Sequence, residues 1–181
     1  MMRAMLRSVL LLGSIPISIS LAVAVASCGT SSSGSTGSSG DGDGGDAAAK
    51  CVEYTTTVDL KTPTVSFKTD VMPFLERSCM FSSCHGAGSS KGDLKMVKGD
   101  PTATRKSLVG VNAPQLPTMQ LVQAGDPKNS YVMKKVDGDI CLLKDKCIAP
   151  CGDTMPQGND LLEVPERDTL RRWIAQGAAE N

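Results

Sequence analysis

The stretch Cys79-Met80-Phe81-Ser82-Ser83-Cys84-His85 places two thiols and the only imidazole of the 181-residue chain within seven consecutive positions. Just before it, Asp70-Val71-Met72-Pro73-Phe74-Leu75 reads as the start of a helix: Asp70 can cap it and its first turn tolerates Pro73. Val71, Phe74, Leu75 and Cys79 fall on or near one face, with Arg77 and Ser78 outside it, so this helix ends at the cysteine pair. Far downstream, the region Leu161 to Gly177 reads as a second helix. Pro165 suits its first turn, and Glu166 and Asp168 complement its positive end. Leu170, Trp173 and Ile174 give one apolar face, and Gly177 stops it. Between the two, Ser130 to Val136 reads as a short helix or turn entered through Asp126-Pro127. Residues 98–125 read mostly as loop broken by Pro and Gly, and Tyr54 to Phe67 as extended chain forming a hairpin on the side.

Cys-x-x-Cys-His is the attachment signature of c-type haem, in which two thioethers hold the porphyrin edge and the adjacent imidazole reaches the iron. Here four residues intervene instead of two. The residues alone leave three readings open: attachment through Cys79 and Cys84, attachment through Cys84 alone with Cys79 in a disulfide, or a short structural disulfide beside an incidental His85. Electron-carrying haem iron often takes a Met thioether as its second axial ligand. Met155, in Gly152-Asp153-Thr154-Met155-Pro156-Gln157-Gly158, sits where Pro and Gly stiffen the chain and can hold a sulfur in place. Met96, Met119 and Met133 are its rivals, and a loop methionine is more often a packing residue. Cys51, Cys141, Cys147 and Cys151 remain, an even number that suits two disulfides in three connectivities. Each bridge would stabilise by about 2–4 kcal/mol. A zinc or copper site on Cys141, Cys147 and Cys151 is the weaker reading, because no spare His is present.

In order, these pieces resemble a known family. Cys…Cys84-His85-Gly86, then Met155-Pro156, then Leu170…Trp173-Ile174…Gly177-Ala178 looks like a monohaem cytochrome c. Gly92-Asp93-Leu94-Lys95-Met96, Gly125-Asp126-Pro127-Lys128-Asn129-Ser130-Tyr131 and the Val65-Ser66-Phe67 lead-in sharpen it. They are similar to cytochrome c-like domains of planctomycete type and of related bacterial surface lipoproteins, over roughly residues 64 to 178. The resemblance implies one covalent haem c held by Cys79 and Cys84, with His85 as proximal and Met155 as distal iron ligand. It also implies a mainly α, small helical domain with long loops, the C-terminal helix crossing the first and setting Trp173 and Ile174 against Phe74 and Leu75.

The beginning of the chain is of another kind. Arg3 and Arg7 precede an apolar stretch from Val9 to Ala26, and Ala26-Ser27-Cys28 follows. This reads as a secretory signal, residues 1–27, ending in a pattern that resembles a bacterial lipobox with Cys28 lipidated. A membrane-spanning helix is the alternative. Gly29 after the cysteine favours the outer membrane. Residues 29–49 are Gly, Ser, Thr, Asp and Ala only, including seven of the 18 glycines, and read as a disordered tether. Its root-mean-square span is roughly 25 Å. Asp41, Asp43 and Asp46 read as a solvated acidic linker, since no closing Glu completes a calcium loop. Residues 50–181 are then the folded domain.

Charge and composition narrow the function. The whole chain carries 19 basic and 19 acidic residues. Loss of Arg3 and Arg7 with the signal leaves 17 against 19, a net of −2, which argues against a nucleic-acid partner. With His85 assigned to iron, no acid–base or Ser-His constellation remains for an enzyme. Two expectations follow. One is a membrane-anchored electron carrier of the cell envelope, a monomer that meets redox partner proteins, with Lys91, Lys95, Lys98, Lys134 and Lys135 offering a docking face. The other is a haem-free, disulfide-braced surface module with a binding or structural role. All six aromatic residues lie in the folded part, few for a core of that size, and a buried porphyrin would supply the missing flat apolar bulk.

Overall fold

The computed structural model describes residues 51–181. The expectations for the signal segment, Cys28 and the tether lie outside the described residues. Four α-helices and one small antiparallel sheet make up the regular structure of that span. They are α1 (Met72–Ser78), α2 (Pro101–Leu108), β1 (Asn112–Ala113), β2 (Leu116–Gln120), α3 (Tyr131–Val136) and α4 (Val164–Ala175). No helix among the described residues is long and apolar enough to cross a membrane.

The first helix starts earlier than its sequence pattern suggests. A π-helical turn, Phe67–Val71, runs directly into α1. Ser66 is the cap: its side chain accepts from the Thr69 N–H, while its own N–H donates to Asp70 Oδ2 at 2.7 Å. Asp70 is thus the reciprocal partner of the cap, reaching back from inside the turn. Pro73 has no N–H for the ordinary helical bond, and next to it the Met72 N–H bonds back to Phe67 O, five residues away. At the other end of the domain, α4 has Pro165 in its first turn and Glu166 at its positive pole. It closes as a Schellman motif: Gly177 has φ +96°, Gly177 N–H donates to Ile174 O, and Ala178 N–H to Trp173 O at 2.9 Å.

These two ends meet through aromatic stacking. Phe67 and Trp173 have ring centroids 4.6 Å apart at 27°. Trp173 and Ile174 share one apolar cluster with Phe74, Leu75, Val71 and Leu170, but the ring that Trp173 stacks on belongs to the π-turn. The helices therefore cross at the very start of the first one.

The middle is more ordered than a loop. Asp100 Oδ1 accepts from Ala103 N–H at 2.9 Å and Pro101 takes the first position of α2. Periodicity hides this helix, since only Thr104 and Leu108 of its eight residues are buried. The hairpin of β1 and β2 follows, pairing Ala113 with Leu116 and Asn112 with Gln120 across an irregularity. The hairpin thus lies between α2 and α3 and not on the N-terminal side.

The N-terminal stretch is instead a single extended strap, because side chains rather than a partner strand take up its backbone. Tyr54 N–H donates to Asp139 Oδ2, Arg172 Nε donates to Asp59 O, and Gln176 Nε2 donates to Leu60 O, Lys61 O and Pro63 O. The Tyr54 ring lies under two guanidiniums, Arg167 at 4.5 Å and Arg171 at 4.9 Å. Both pair with the half-buried Asp137, Arg171 through one nitrogen, Nη2, that reaches both carboxylate oxygens at 2.7 and 2.6 Å. Among the described residues, disulfides join Cys51 to Cys141, which ties down the strap, and Cys147 to Cys151. That pairing uses the sulfurs of the zinc or copper reading.

A second apolar cluster gathers Ala113, Leu116, Leu121, Tyr131, Ile140, Leu143 and Cys151. A cavity of about 410 Å³ lies between it and the first: Leu75, Leu108, Val122, Val136 and Leu170 line it from one cluster, Leu121, Tyr131 and Cys151 from the other.

Candidate functional site

The loop after α1 coils tightly enough to bring its ends together. Cys84 N–H and Gly86 N–H both donate to Phe81 O, at 2.9 and 3.0 Å, and His85 N–H donates to Cys79 O at 3.2 Å. The four residues between the cysteines are thereby absorbed in a closed turn, with Cys79, Cys84 and His85 all on the cavity wall. Gly86 makes the closure sterically feasible. A Cβ there would stand 2.4 Å from Met80 O and 2.9 Å from Phe81 O. Gly86→Ala is expected to lower the unfolding free energy by about 2 kcal/mol or more, as forced overpacking against backbone does. Urea denaturation against the parent chain measures it.

His85 is held from two sides. Its Nδ1 lies 3.2 Å from Leu94 O, and its own carbonyl accepts from Met96 N–H at 2.7 Å. With Nδ1 donating to a carbonyl, Nε2 is the ring nitrogen left with a lone pair, the arrangement that orients imidazole metal ligands. Burial pushes the pKa of His85 down from 6.5; bonds to the carbonyls of Leu94 and Lys91 oppose the shift, and the charge of Lys135 adds to it. The folded chain therefore favours the neutral ring, the form that binds metal. The unfolded chain takes up this proton more readily than the folded chain, so the stability contributed is full above the ordinary His range. It is lost as pH falls below 6.5 toward the lowered folded value. The melting temperature of the haem-free protein is expected to drop between about pH 7 and 5, and His85→Gln to flatten that slope.

The thiols differ. Cys79 is a free thiol with its pKa pushed up to about 12, first by burial and then by the negative charge of Glu166. Burial thus favours its protonated thiol form over the thiolate. Cys84 is buried, with Sγ 3.7 Å from Ser83 Oγ.

Met155 lies on the cavity wall with Pro156 and Gln157, half-buried, its N–H donating to Lys135 O at 2.9 Å. Of its rivals, Met96 also lines the cavity, whereas Met133 belongs to the first core and Met119 packs against the second cluster. Met96 comes from the His85 side, two residues after the Leu94 carbonyl that meets the ring and with its N–H on His85 O. Met155 comes from a separate segment, between the Cys147–Cys151 bridge and α4.

Two of the five lysines proposed as a docking face do not belong to one. Lys91, Lys95 and Lys98 are exposed. Lys134 is mostly covered and pairs with Asp139 at 3.1 Å and Glu53 at 3.4 Å. Lys135 is buried on the cavity wall, donating to Cys151 O and to Asp153 O, and burial pushes its pKa down to about 8 against the opposing charge of Asp153. The signal for this was present in the sequence: Lys135 follows Tyr131 by one helical turn, on the buried side of α3.

Compared with models of protein families, with curated proteins and with solved structures, the chain matches none.

The residues present suit a flat apolar cofactor. The cavity falls within the roughly 300–1,000 Å³ of small-molecule and cofactor sites, its walls are mostly apolar, and it gathers Cys79, Cys84, the oriented His85 ring and the two methionines Met96 and Met155.

Proposed function

We propose that this chain is a monohaem c-type cytochrome-like lipoprotein that carries single electrons in the cell envelope. The observation that carries the reading is the cavity whose wall includes Cys79, Cys84, His85 and Met155 together. Haem bound there would supply a one-electron iron couple, and the chain's part is ligation, burial and orientation. Cys79 and Cys84 would each add S–H across a vinyl side chain of the porphyrin, a thioether addition that balances without an oxidant. Both sulfurs enter that step as thiols, so the disulfide-bonded Cys84 would first be reduced by a dithiol that leaves as its own disulfide. His85, neutral and steered through Nδ1 by Leu94 O, would hold the iron. Met155 would be the second residue to hold it, since it comes from a segment separate from the one that carries His85 and Met96. Apolar walls from Leu75, Leu108, Val122 and Leu170 would exclude water. A lipid on Cys28 would anchor the mature chain to the outer membrane or cell surface, the 29–49 tether would give the domain reach, and partners would be redox proteins rather than nucleic acid. With His85 and Met155 both holding the iron, the chain would act as a carrier and not as an enzyme.

The second reading is a haem-free, disulfide-braced lipoprotein module. The bridges Cys51–Cys141 and Cys147–Cys151 favour it, since they brace the domain without any cofactor. One experiment separates the two. The full chain is exported from cells carrying c-type haem maturation machinery and run on a denaturing gel stained for haem. The expected result is covalent haem with a Soret band, abolished in Cys79→Ser/Cys84→Ser. Correctly exported protein without haem sinks the carrier reading and leaves the module.

A further inference from the structure

We infer that α3 is the clamp of the Met155 loop, with Lys135 and Tyr131 as positioning residues that act on Met155 through its backbone. This deepens the proposed function and rests on it only for what Met155 ligates.

The clamp is built from one face of a short helix. Tyr131 and Lys135 are four residues apart, so their side chains rise on the same side of α3. Both reach the same carbonyl: Tyr131 OH donates to Cys151 O at 2.8 Å, and Lys135 Nζ donates to Cys151 O as well. Lys135 Nζ also donates to Asp153 O at 3.0 Å, and the Lys135 carbonyl accepts from Met155 N–H at 2.9 Å. A single residue thus holds the loop at positions 151, 153 and 155, alternating ammonium, ammonium and backbone. Cys151 is fixed a further time by its bridge to Cys147.

The loop is shaped to receive the ammonium. Gly152 has φ +75°, and a Cβ there would stand 3.0 Å from Lys135 Nζ. A side chain at 152 would crowd the space that the ammonium occupies between its two carbonyls. A buried lysine is costly unless its charge is met by hydrogen bonds. Here carbonyls of the loop meet it, so the charge and the loop conformation depend on each other. A plain apolar residue at 135 would fill the space but leave Cys151 O and Asp153 O without this donor.

The test uses the full chain, first without haem. Hydrogen exchange at the Met155 amide reports loop opening directly, because that N–H is bonded to Lys135 O. Lys135→Met keeps an unbranched apolar stem and is expected to speed Met155 exchange by about tenfold or more, the scale of one charge-assisted bond. Exchange in the interior of α4 is expected to stay as it was. Tyr131→Phe is expected to give a smaller acceleration of about two- to fivefold, as for a neutral bond. Lys135→Arg, which keeps donors, is expected to restore much of the protection. Unchanged Met155 exchange in Lys135→Met overturns the clamp, and so does an equal rise throughout α4. If Lys135→Met does not fold, Gly152→Ala displaces the ammonium from the loop side and is read by the same amide, with the same two outcomes deciding.

The haem-loaded chain supplies the readout that a merely structural lysine would not move. Lys135→Met is expected to weaken the sulfur-to-iron charge-transfer band and lower the reduction potential while covalent haem is retained. Faster exchange with an unaltered band overturns the claim on Met155. A chain that takes up no haem fails the proposed function, while the Met155 amide still decides the clamp.

Discussion

Removing the Cys51–Cys141 bridge, as Cys51→Ser/Cys141→Ser, is expected to cost about 4–5 kcal/mol of unfolding free energy. The two cysteines are 90 residues apart in sequence, so the bridge removes a large loop-closure entropy from the unfolded chain. A typical domain has about 5–15 kcal/mol in all, so the variant sits near the folding threshold. The effect reaches beyond chain entropy, because the bridge anchors the strap that lays Tyr54 over Arg167 and Arg171. Those guanidiniums share Asp137, and together they join α3 to α4, two walls of the cavity. Urea denaturation with the parent chain in parallel measures the loss. Cys147→Ser/Cys151→Ser is the internal comparison: that bridge spans only four positions and is expected to cost about 2 kcal/mol. A loss below about 1 kcal/mol for the long bridge would mean that side-chain contacts alone hold the strap.

The second large effect is spectroscopic. Under the proposed function, Met155→Ala in the haem-loaded chain is expected to abolish the sulfur-to-iron charge-transfer band and lower the reduction potential, since a Met axial ligand raises it. Covalent haem is expected to remain, because the thioethers to Cys79 and Cys84 do not involve this loop. Met96 is not expected to replace it. Its side chain is buried at 3% exposure and its backbone is bonded to His85, so one short segment carries both residues. Met96→Leu is therefore expected to keep the band. A band that survives Met155→Ala and vanishes in Met96→Leu would exchange the two assignments.

Some of this architecture was legible in the sequence and some was not, for reasons that differ by element. The stop of α4 at Gly177 and its start at Pro165 are local events within one turn of chain, and both are where residue type places them. The cap of the first helix misled for an equally local reason. Ser66 and Asp70 form a reciprocal pair, and either could hold the cap until the widened turn around Pro73 shifts the register. Helix α2 escaped notice because its exposed, polar surface carries almost no periodic signal, although Asp100-Pro101 marks its start. The strap looked like half of a hairpin because extended chain reads alike whether a strand or a row of side chains satisfies it.

By itself the sequence determined what is set within a few residues: the close grouping of Cys79, Cys84 and His85, and the termini of α4. Short-range sterics and capping bonds suffice for these. Only the tertiary structure decided which cysteines pair, which two of four methionines reach the cavity, and that Lys135 points inward rather than to solvent. Each of those depends on which distant segments pack together, and that is decided by how the two apolar clusters close around the space between them.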